Sequence, residues 1–452
     1  MTQPPFTVPL ETIPSCFEGI IPASIATVAA DGTPNITYLS VVTRVDSEHV
    51  ALSRQFFKKT GENAEQNHFA QVQVIEPLTG RQFSLDLEYE RTETAGPIFE
   101  RMRMKLDAVA AFEGMEQIFQ LRGTDICRVT RCDVVPGHSA APGARRSVGI
   151  ERVEAISLRI SQAADMDEVL SITLESCTGL LGYPHAFIML ANESGDRLYT
   201  VASTGFAASG AGSEVHMGEG VIGLAAARRS AIRLTNLARD LHYATASRGA
   251  VTSNTRGFER TIPLPSLPSI QSHLVVPMLA HRKLAGVLCL QSSEAGAFQA
   301  EDESAVSILA SHVAMAMAAL GDSGGTTAQS LAATSPAPSG GTVQVKYYRD
   351  DNTVFMDNEY LIKGVAGGIL WRLLRAYQDE QREEFSNKEF RLDPTLDLPD
   401  IKDNLEARLI LLRRRLDERA GAIRIEKAGR GRFRLAVARP LHLVVIDAPG
   451  PM

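Results

Sequence analysis

At 452 residues, with 44% hydrophobic and 22% charged side chains, the chain is long enough for two or three domains, each with a core of its own. A net charge of −7 and a pI near 5.9 exclude a basic footprint spread over the whole surface, but they allow a local one, because basic residues crowd towards the C-terminus. Five cysteines, Cys16, Cys127, Cys132, Cys177 and Cys289, are odd in number and irregularly spaced, which excludes a disulfide framework and a zinc site and points to buried thiols in a reducing cytosol.

Met1 to Pro5 carries no basic or apolar leader, and no apolar run is read as long enough to cross a bilayer, so the expected location is cytoplasmic with no membrane partner. Two stretches without periodicity, Pro136–Gly149 and Gly321–Gly341, cut the chain into three. The expected domains are 1–135, 150–320 and 342–440, in a multidomain α+β architecture without internal repeats.

The first part reads as short strands with one helix. Ile25–Ala30 runs into the turn Asp31-Gly32, Asn35–Arg44 supplies a second strand and Val50–Ser53 a third, the opening of an antiparallel barrel. Further strands are expected at Phe69–Ile75 and Gln82–Thr92, followed by a helix over Pro97–Ala111; Gln117–Leu121 and Asp125–Cys132 close the unit. The segment Ser53-Arg54-Gln55-Phe56-Phe57-Lys58-Lys59-Thr60-Gly61-Glu62-Asn63 ends a strand and opens a short helix. Two lysines, hydroxyls and the N–H groups of a helix N-terminus suit a phosphate monoester.

In its strand-rich setting that segment resembles the flavin-binding split β-barrel of the pyridoxamine 5′-phosphate oxidase-like superfamily, over roughly Ile21 to Val135. The resemblance implies FMN, its phosphate held by Lys58, Lys59 and Thr60 with Ser53 and Asn63 as further candidates, and the strand Tyr38–Val42 facing the ring. Members also bind deazaflavin or haem, or have lost the cofactor. The tryptophan- and arginine-rich substrate segment of the true oxidases is not recognisable at Ile126–Gly137, so vitamin oxidation is not expected. The plain alternative is a solvated lysine pair on an exposed helix.

The second part begins with an amphipathic helix through Ile156, Ile160 and Ala163, and helical content continues through Val169, Ile172, Leu174 and Leu180. Strands follow at Ala186–Leu190 and from Leu198. Gly218-Glu219-Gly220-Val221-Ile222-Gly223 has the letters of a dinucleotide fingerprint, but Ala208–Ser213 before it is no buried parallel strand, which removes that reading. The run resembles a GAF domain, an α/β/α fold in which these glycines turn the chain into the helix beneath a ligand pocket. Ser272–Met278 and Leu284–Leu290 supply paired strands, and Phe298-Gln299-Ala300-Glu301-Asp302-Glu303 opens a final helix.

GAF domains bind cyclic nucleotides, tetrapyrroles, haem or metabolites, and many only dimerise. An unidentified small-molecule ligand is therefore expected here. No Asn-Lys pair precedes Phe298, Asp302 and Glu303, which read as helix capping and not as a cyclic-nucleotide signature. Arg239–Gln271 is long for a loop and reads as a lid. His216, His242 and His273 are candidate ligand contacts, with a satisfied polar or surface histidine as the bland alternative.

The third part opens with strands at Val343–Tyr348 and Val354–Met356, a helix with Val365, Ile369, Leu370, Leu373 and Tyr377 on its apolar face, and a capping box at Ser386–Glu389. From Asn404 onward Leu405, Leu409, Leu412 and Leu416 share one helical stripe, while Arg408, Arg415 and Arg419 share a neighbouring one. Ala422–Lys427, the turn Gly429-Arg430-Gly431 and Phe433–Val437 read as a basic hairpin. A helix with an arginine stripe followed by such a hairpin resembles the recognition helix and wing of the OmpR-type winged helix-turn-helix domain, over roughly Thr342 to Val437. Arg432 stands where the family usually places an aromatic.

The resemblance implies double-stranded DNA as partner, read by Arg408, Arg415 and Arg419 on the helix and by Lys427, Arg430 and Arg432 on the wing. An arginine stripe is otherwise a solvated face or an acidic-partner surface. Together the parts read as a cytoplasmic, homodimeric, ligand- or redox-responsive transcription regulator with a small-molecule effector. The alternative is a flavin-dependent oxidoreductase with regulatory C-terminal domains, for which no catalytic acid or base is evident; a third reading is a cofactor-free assembly protein.

Overall fold

The computed structural model describes residues 8–18, 21, 23–55, 59–77, 79–112, 121–137, 148–192, 194–235, 262–322, 341–391, 405–419, 422–429 and 431–446. Lys58, His242 and Arg430 lie outside them, as does most of the segment read as a lid.

Strands β1 (Ala23–Val28), β2 (Pro34–Leu39), β3 (Val42–Arg44), β4 (His49–Arg54), β5 (Phe69–Ile75), β6 (Gln82–Glu93) and β7 (Gly123–Val134) form one antiparallel sheet in the order β2-β1-β5-β6-β7-β4-β3. β2 and β3 are opposite edges of this sheet, yet only Ser40 and Val41 separate them in sequence. Extended chain covers about 3.5 Å per residue, so the edges must lie close together and the sheet must curl into a nearly closed barrel. The single strand expected over Asn35–Arg44 is therefore two. At the break, the Val41 N–H donates to Ser53 Oγ and the Ser53 N–H to Val41 O. Leu39, Val50, Leu52, Val72, Leu85 and Leu87 fill the interior. Helix α1 (Lys59–Asn67) follows β4, and α2 (Pro97–Phe112) links β6 to β7.

The middle module is a six-stranded antiparallel sheet in the order β10-β9-β8-β13-β12-β11, made of β8 (His185–Ala191), β9 (Arg197–Thr204), β10 (Glu214–His216), β11 (Ile232–Leu234), β12 (Ser272–Ala280) and β13 (Lys283–Ser292). Alternate residues of β8 serve two cores. Ala186, Ile188 and Leu190 face helices α3 (Ile150–Ser161), α4 (Met166–Gly179) and α6 (Ala300–Asp322), whereas Phe187 and Met189 face α5 (Gly220–Arg228). Ala108 and Met104 of α2 join the second core, so the barrel module supplies part of the cover of this sheet.

By length and hydropathy Ala300–Leu320 is long and apolar enough to cross a membrane, which amends the expectation from sequence. Its inner face, with Val306, Leu309, Ala310, Val313, Ala314 and Met317, is buried in the core shared with α3 and β12. Ile156 and Val313 thus face their own module. Ile150, Leu158, Ile308 and Met315 are exposed large apolar residues of this helix pair.

The third module starts with β14 (Val343–Tyr348), β15 (Thr353–Met356) and β16 (Glu359–Ile362). β20 (Leu441–Ile446) lies parallel to β14, beyond the boundary expected at 440. Between them come α7 (Gly364–Glu380), β17 (Glu384–Ser386), α8 (Asn387–Arg391), α9 (Leu405–Asp417) and the hairpin β18 (Ile423–Lys427) and β19 (Arg432–Val437), with β17 paired to β19. One continuous apolar cluster joins this core to that of the middle module.

Candidate functional site

A cavity of about 310 Å³ opens beside the middle sheet, lined by Val215, Val221, Ile222, Pro265, His273 and Gln291, with Glu214 and Glu219 among its polar residues. The glycine run shapes it. A side chain on Gly223 would sit 2.1 Å from the His216 carbonyl oxygen, so only glycine allows α5 to start this close to β10. The Gln291 side-chain oxygen Oε1 accepts from the Leu267 N–H at 3.1 Å and holds the far wall in place.

His273, on β12, is 4% exposed, and neither ring nitrogen has a hydrogen-bond partner among the described residues. Burial pushes its pKa down from 6.5 to about 4. A neutral imidazole offers one donor and one acceptor, and leaving both unmet in an apolar site costs about 1–3 kcal/mol each. A ligand group in the cavity would supply partners. Of the three histidines singled out from sequence, His273 lines the cavity and His216 is exposed on β10.

Because His273 must charge on acidification, the unfolded chain binds its proton first. The stability of the neutral, buried form is complete above about pH 6.5 and is lost as pH falls towards about 4. A loss of about 2 kcal/mol between pH 7.5 and pH 5 is expected from this group, and His273→Phe should flatten that slope. Urea midpoints at the two pH values check it; equal slopes in the parent and variant chains would refute it.

In the barrel module the residues proposed for phosphate are only partly assembled. Lys59 is exposed at the start of α1. Thr60 and Asn63 are buried, and their side chains join Asn35 and Thr27: Asn35 Nδ2 donates to Thr60 Oγ1 at 2.9 Å and Asn63 Nδ2 to Thr27 Oγ1 at 3.1 Å. This network pins α1 to the β1–β2 hairpin. Ser53 is 1% exposed, with its hydroxyl engaged by Val41. Tyr38 points outward, 66% exposed, while Leu39, Val41 and Val42 are buried, so the strand does not present one continuous face.

Two residues inside the motif were not singled out from sequence. Arg54 bonds Asp125 and Glu65, but its Nη2 is buried without a partner among the described residues, and so are both amide atoms of the 3%-exposed Gln55. Unpaired buried donors beside a helix start fit an anionic, hydrogen-bonding group such as the phosphate of a flavin. The signal in sequence was an arginine and a glutamine ending a strand whose preceding residues are apolar. All five cysteines are buried, and burial pushes the Cys127 thiol up to about 12, which leaves it inert.

The arginine stripe of α9 is not an open surface, which corrects the expectation from its periodicity. Arg408 stacks on the Tyr199 ring of β9 at 4.3 Å. Arg415, 7% exposed, donates to the Leu361 carbonyl at 3.1 Å and pairs with Glu418; Arg419 pairs with Glu359 and donates to the Tyr360 carbonyl. Lys427 pairs with Asp165, whereas Arg432 is exposed beside the hairpin turn. The physical reason lies in Ala407, Ile410 and Leu411, which make the helix apolar on more than the leucine stripe. A helix apolar on most sides is buried on most sides.

The family model for the GAF domain matches residues 163–318, so that module is a GAF domain. No curated protein matches the chain. Solved structures similar to parts of it include the GAF domain of an Acinetobacter phosphoenolpyruvate-protein phosphotransferase, at 22% identity and a TM-score of 0.32, covering 39% of this chain and 97% of that one. An FMN-binding protein from Syntrophomonas wolfei subsp. wolfei is 17% identical at a TM-score of 0.24, covering 28% and 88%. HupZ of Group A Streptococcus is 18% identical at a TM-score of 0.23, covering 29% and 97%.

Proposed function

We propose that this chain is a small-molecule-responsive regulatory protein whose GAF cavity is the sensing site and whose C-terminal module is a DNA-binding output. The observation that carries the reading is His273, buried against the cavity with neither ring nitrogen partnered among the described residues. A protein that keeps such a group keeps it for a partner. The ligand acts by binding two arrangements of the chain with different affinity.

The output reading is supported by element order. A small sheet, then α7, α8, α9 and the β18–β19 hairpin, with β17 completing a three-stranded sheet, follows the order of an OmpR-like winged helix. In it α9 carries Arg408 and Arg415, Arg419 follows just past its end, and the hairpin carries Lys427 and Arg432. Exposed Leu158, Ile308 and Met315 supply a face for a second copy of the chain.

Native mass spectrometry of the purified full chain tests the sensing site: a bound small molecule is expected, lost in His273→Phe, and its retention in that variant would discard the site. Salt titration of duplex binding tests the output. Arg432→Gln should weaken retention of all sequences and flatten the log–log salt slope by about 1. An unchanged slope would remove Arg432 from the interface.

A second reading is favoured by the unpaired Arg54 Nη2 and Gln55 amide, namely a flavin-dependent oxidoreductase with the other modules as regulators. A bound flavin would supply the redox chemistry, and Arg54, Gln55 and Lys59 would hold its phosphate. A visible flavin spectrum in the purified chain, diminished by Gln55→Leu, supports it; a colourless chain counts against it.

A further inference from the structure

Three basic residues of the output module, Arg413, Arg414 and Lys427, are held by a specific acidic element of the GAF domain. At the N-terminus of α4, Asp165 accepts from the Glu168 N–H at 3.1 Å as N-cap and also pairs with Lys427. Asp167, two residues on, pairs with Arg413 at 2.5 Å and Arg414 at 3.4 Å. Burial raises the pKa of Asp165, but the Lys427 ammonium and the Glu168 and Asp167 N–H groups outweigh it, leaving the carboxylate below its ordinary value. Lys363, at the start of α7, pairs with Glu214 at 3.2 Å, and Ser209 bonds Glu418. A phosphate backbone would compete for the same cations.

Elsewhere, at the C-terminal end of α9, Arg415 and Arg419 come close to the sensing cavity. Leu264, Pro265 and Ser266 line the cavity, while the preceding Ile262 and Pro263 line a cleft of about 680 Å³ between GAF domain and output module, together with Arg415, Arg419 and Tyr360. One five-residue segment is therefore the wall between them. Gly212, at φ +85°, sits where a Cβ would meet Ile262 Cδ1 at 3.0 Å and Leu411 Cδ1 at 3.7 Å, so wall and helix α9 meet over a residue without a side chain. Glu214 belongs to both places, lining the cavity and pairing with Lys363.

We propose that this is the self-masked state of the protein: Asp165 and Asp167 occupy the cations of α9 and β18 in place of nucleic-acid phosphate, and the 262–266 wall makes the masking sensitive to what fills the GAF cavity. The proposal rests on the DNA-binding reading for the identity of the competitor, but the masking itself does not.

The test compares the full chain with Asp165→Asn/Asp167→Asn. Asparagine keeps the N-cap hydrogen bond while removing both charges, so α4 is retained. Hydrogen exchange of α9 and β18 amides should rise about tenfold, and affinity for a generic duplex at low salt should rise by a similar factor. Gly212→Ala, which wedges Ile262 from Leu411 without changing charge, should raise exchange in the same elements. The exchanged pair Asp167→Arg/Arg413→Asp should restore protection. Unchanged exchange in both opened variants overturns the masking. Faster exchange with no gain in duplex binding leaves masking standing and overturns the DNA-binding reading instead.

Discussion

Arg233→Ala should lower the unfolding free energy by about 3–5 kcal/mol, because it strands the largely buried Glu18 carboxylate and leaves the partly exposed Glu303 without its cation. Arg233 lies on β11, 13% exposed at its side chain, and pairs with Glu18 of the barrel module and, at 2.8 Å, with Glu303 of α6. Glu18 is also 13% exposed. Burial alone would lower the guanidinium's pKa, but the two glutamates more than reverse this, so the arginine stays charged and the triad is a fixed ionic link between modules. Calorimetry of the full chain should show the loss, and Arg233→Met combined with Glu18→Gln and Glu303→Gln should recover most of it, because no lone charge remains. A shift no larger than about 1 kcal/mol in the single variant would place the triad with ordinary surface pairs.

Phe298→Ala should cost about 3–5 kcal/mol, the usual range for emptying a buried aromatic site. The ring is 1% exposed and meets Tyr183 edge-on, with centroids 5.4 Å apart. The Tyr183 hydroxyl donates to Asp302 Oδ1, and Asp302 Oδ2 accepts from the Gln299 N–H at 2.7 Å, so the same cluster caps α6. Phe298→Leu should cost no more than half as much. Urea midpoints decide it; equal losses for alanine and leucine would show that the cavity is not what matters. This geometry also bears on how the residues were read from sequence. Asp302 caps the helix, as expected, while Glu303 serves Arg233, a partner 70 residues away that no local pattern reveals.

What was legible follows from how far each signal reaches along the chain. β1, β5 and β6 announce themselves by alternation over six to twelve residues, and α4 by its Asp165 cap. β10 and β11 are three residues each and exist only because longer neighbours pair with them, so no window could show them. β20 pairs in parallel with β14 from about a hundred residues downstream, beyond the boundary expected at 440. On α9 the period of the arginines was plain, but the neighbours of Arg408 and Arg413 are Tyr199 and Asp167, more than two hundred residues earlier. Periodicity shows which residues share a face; it does not show what that face meets. In the barrel, Arg54 and Gln55 were passed over for the lysines beyond them, because unpaired burial is a property of the fold alone.

Ala108 and Met104 of α2 reach across to the apolar layer around Phe187 and Val221. The middle unit is therefore not a self-sufficient cassette. Excised at the 136–149 junction, it would lose a tile from its own roof and bare a greasy seam to water, inviting precipitation. Any transplant of this sensor into another polypeptide has to bring the barrel's helix with it, or supply a replacement of equal shape.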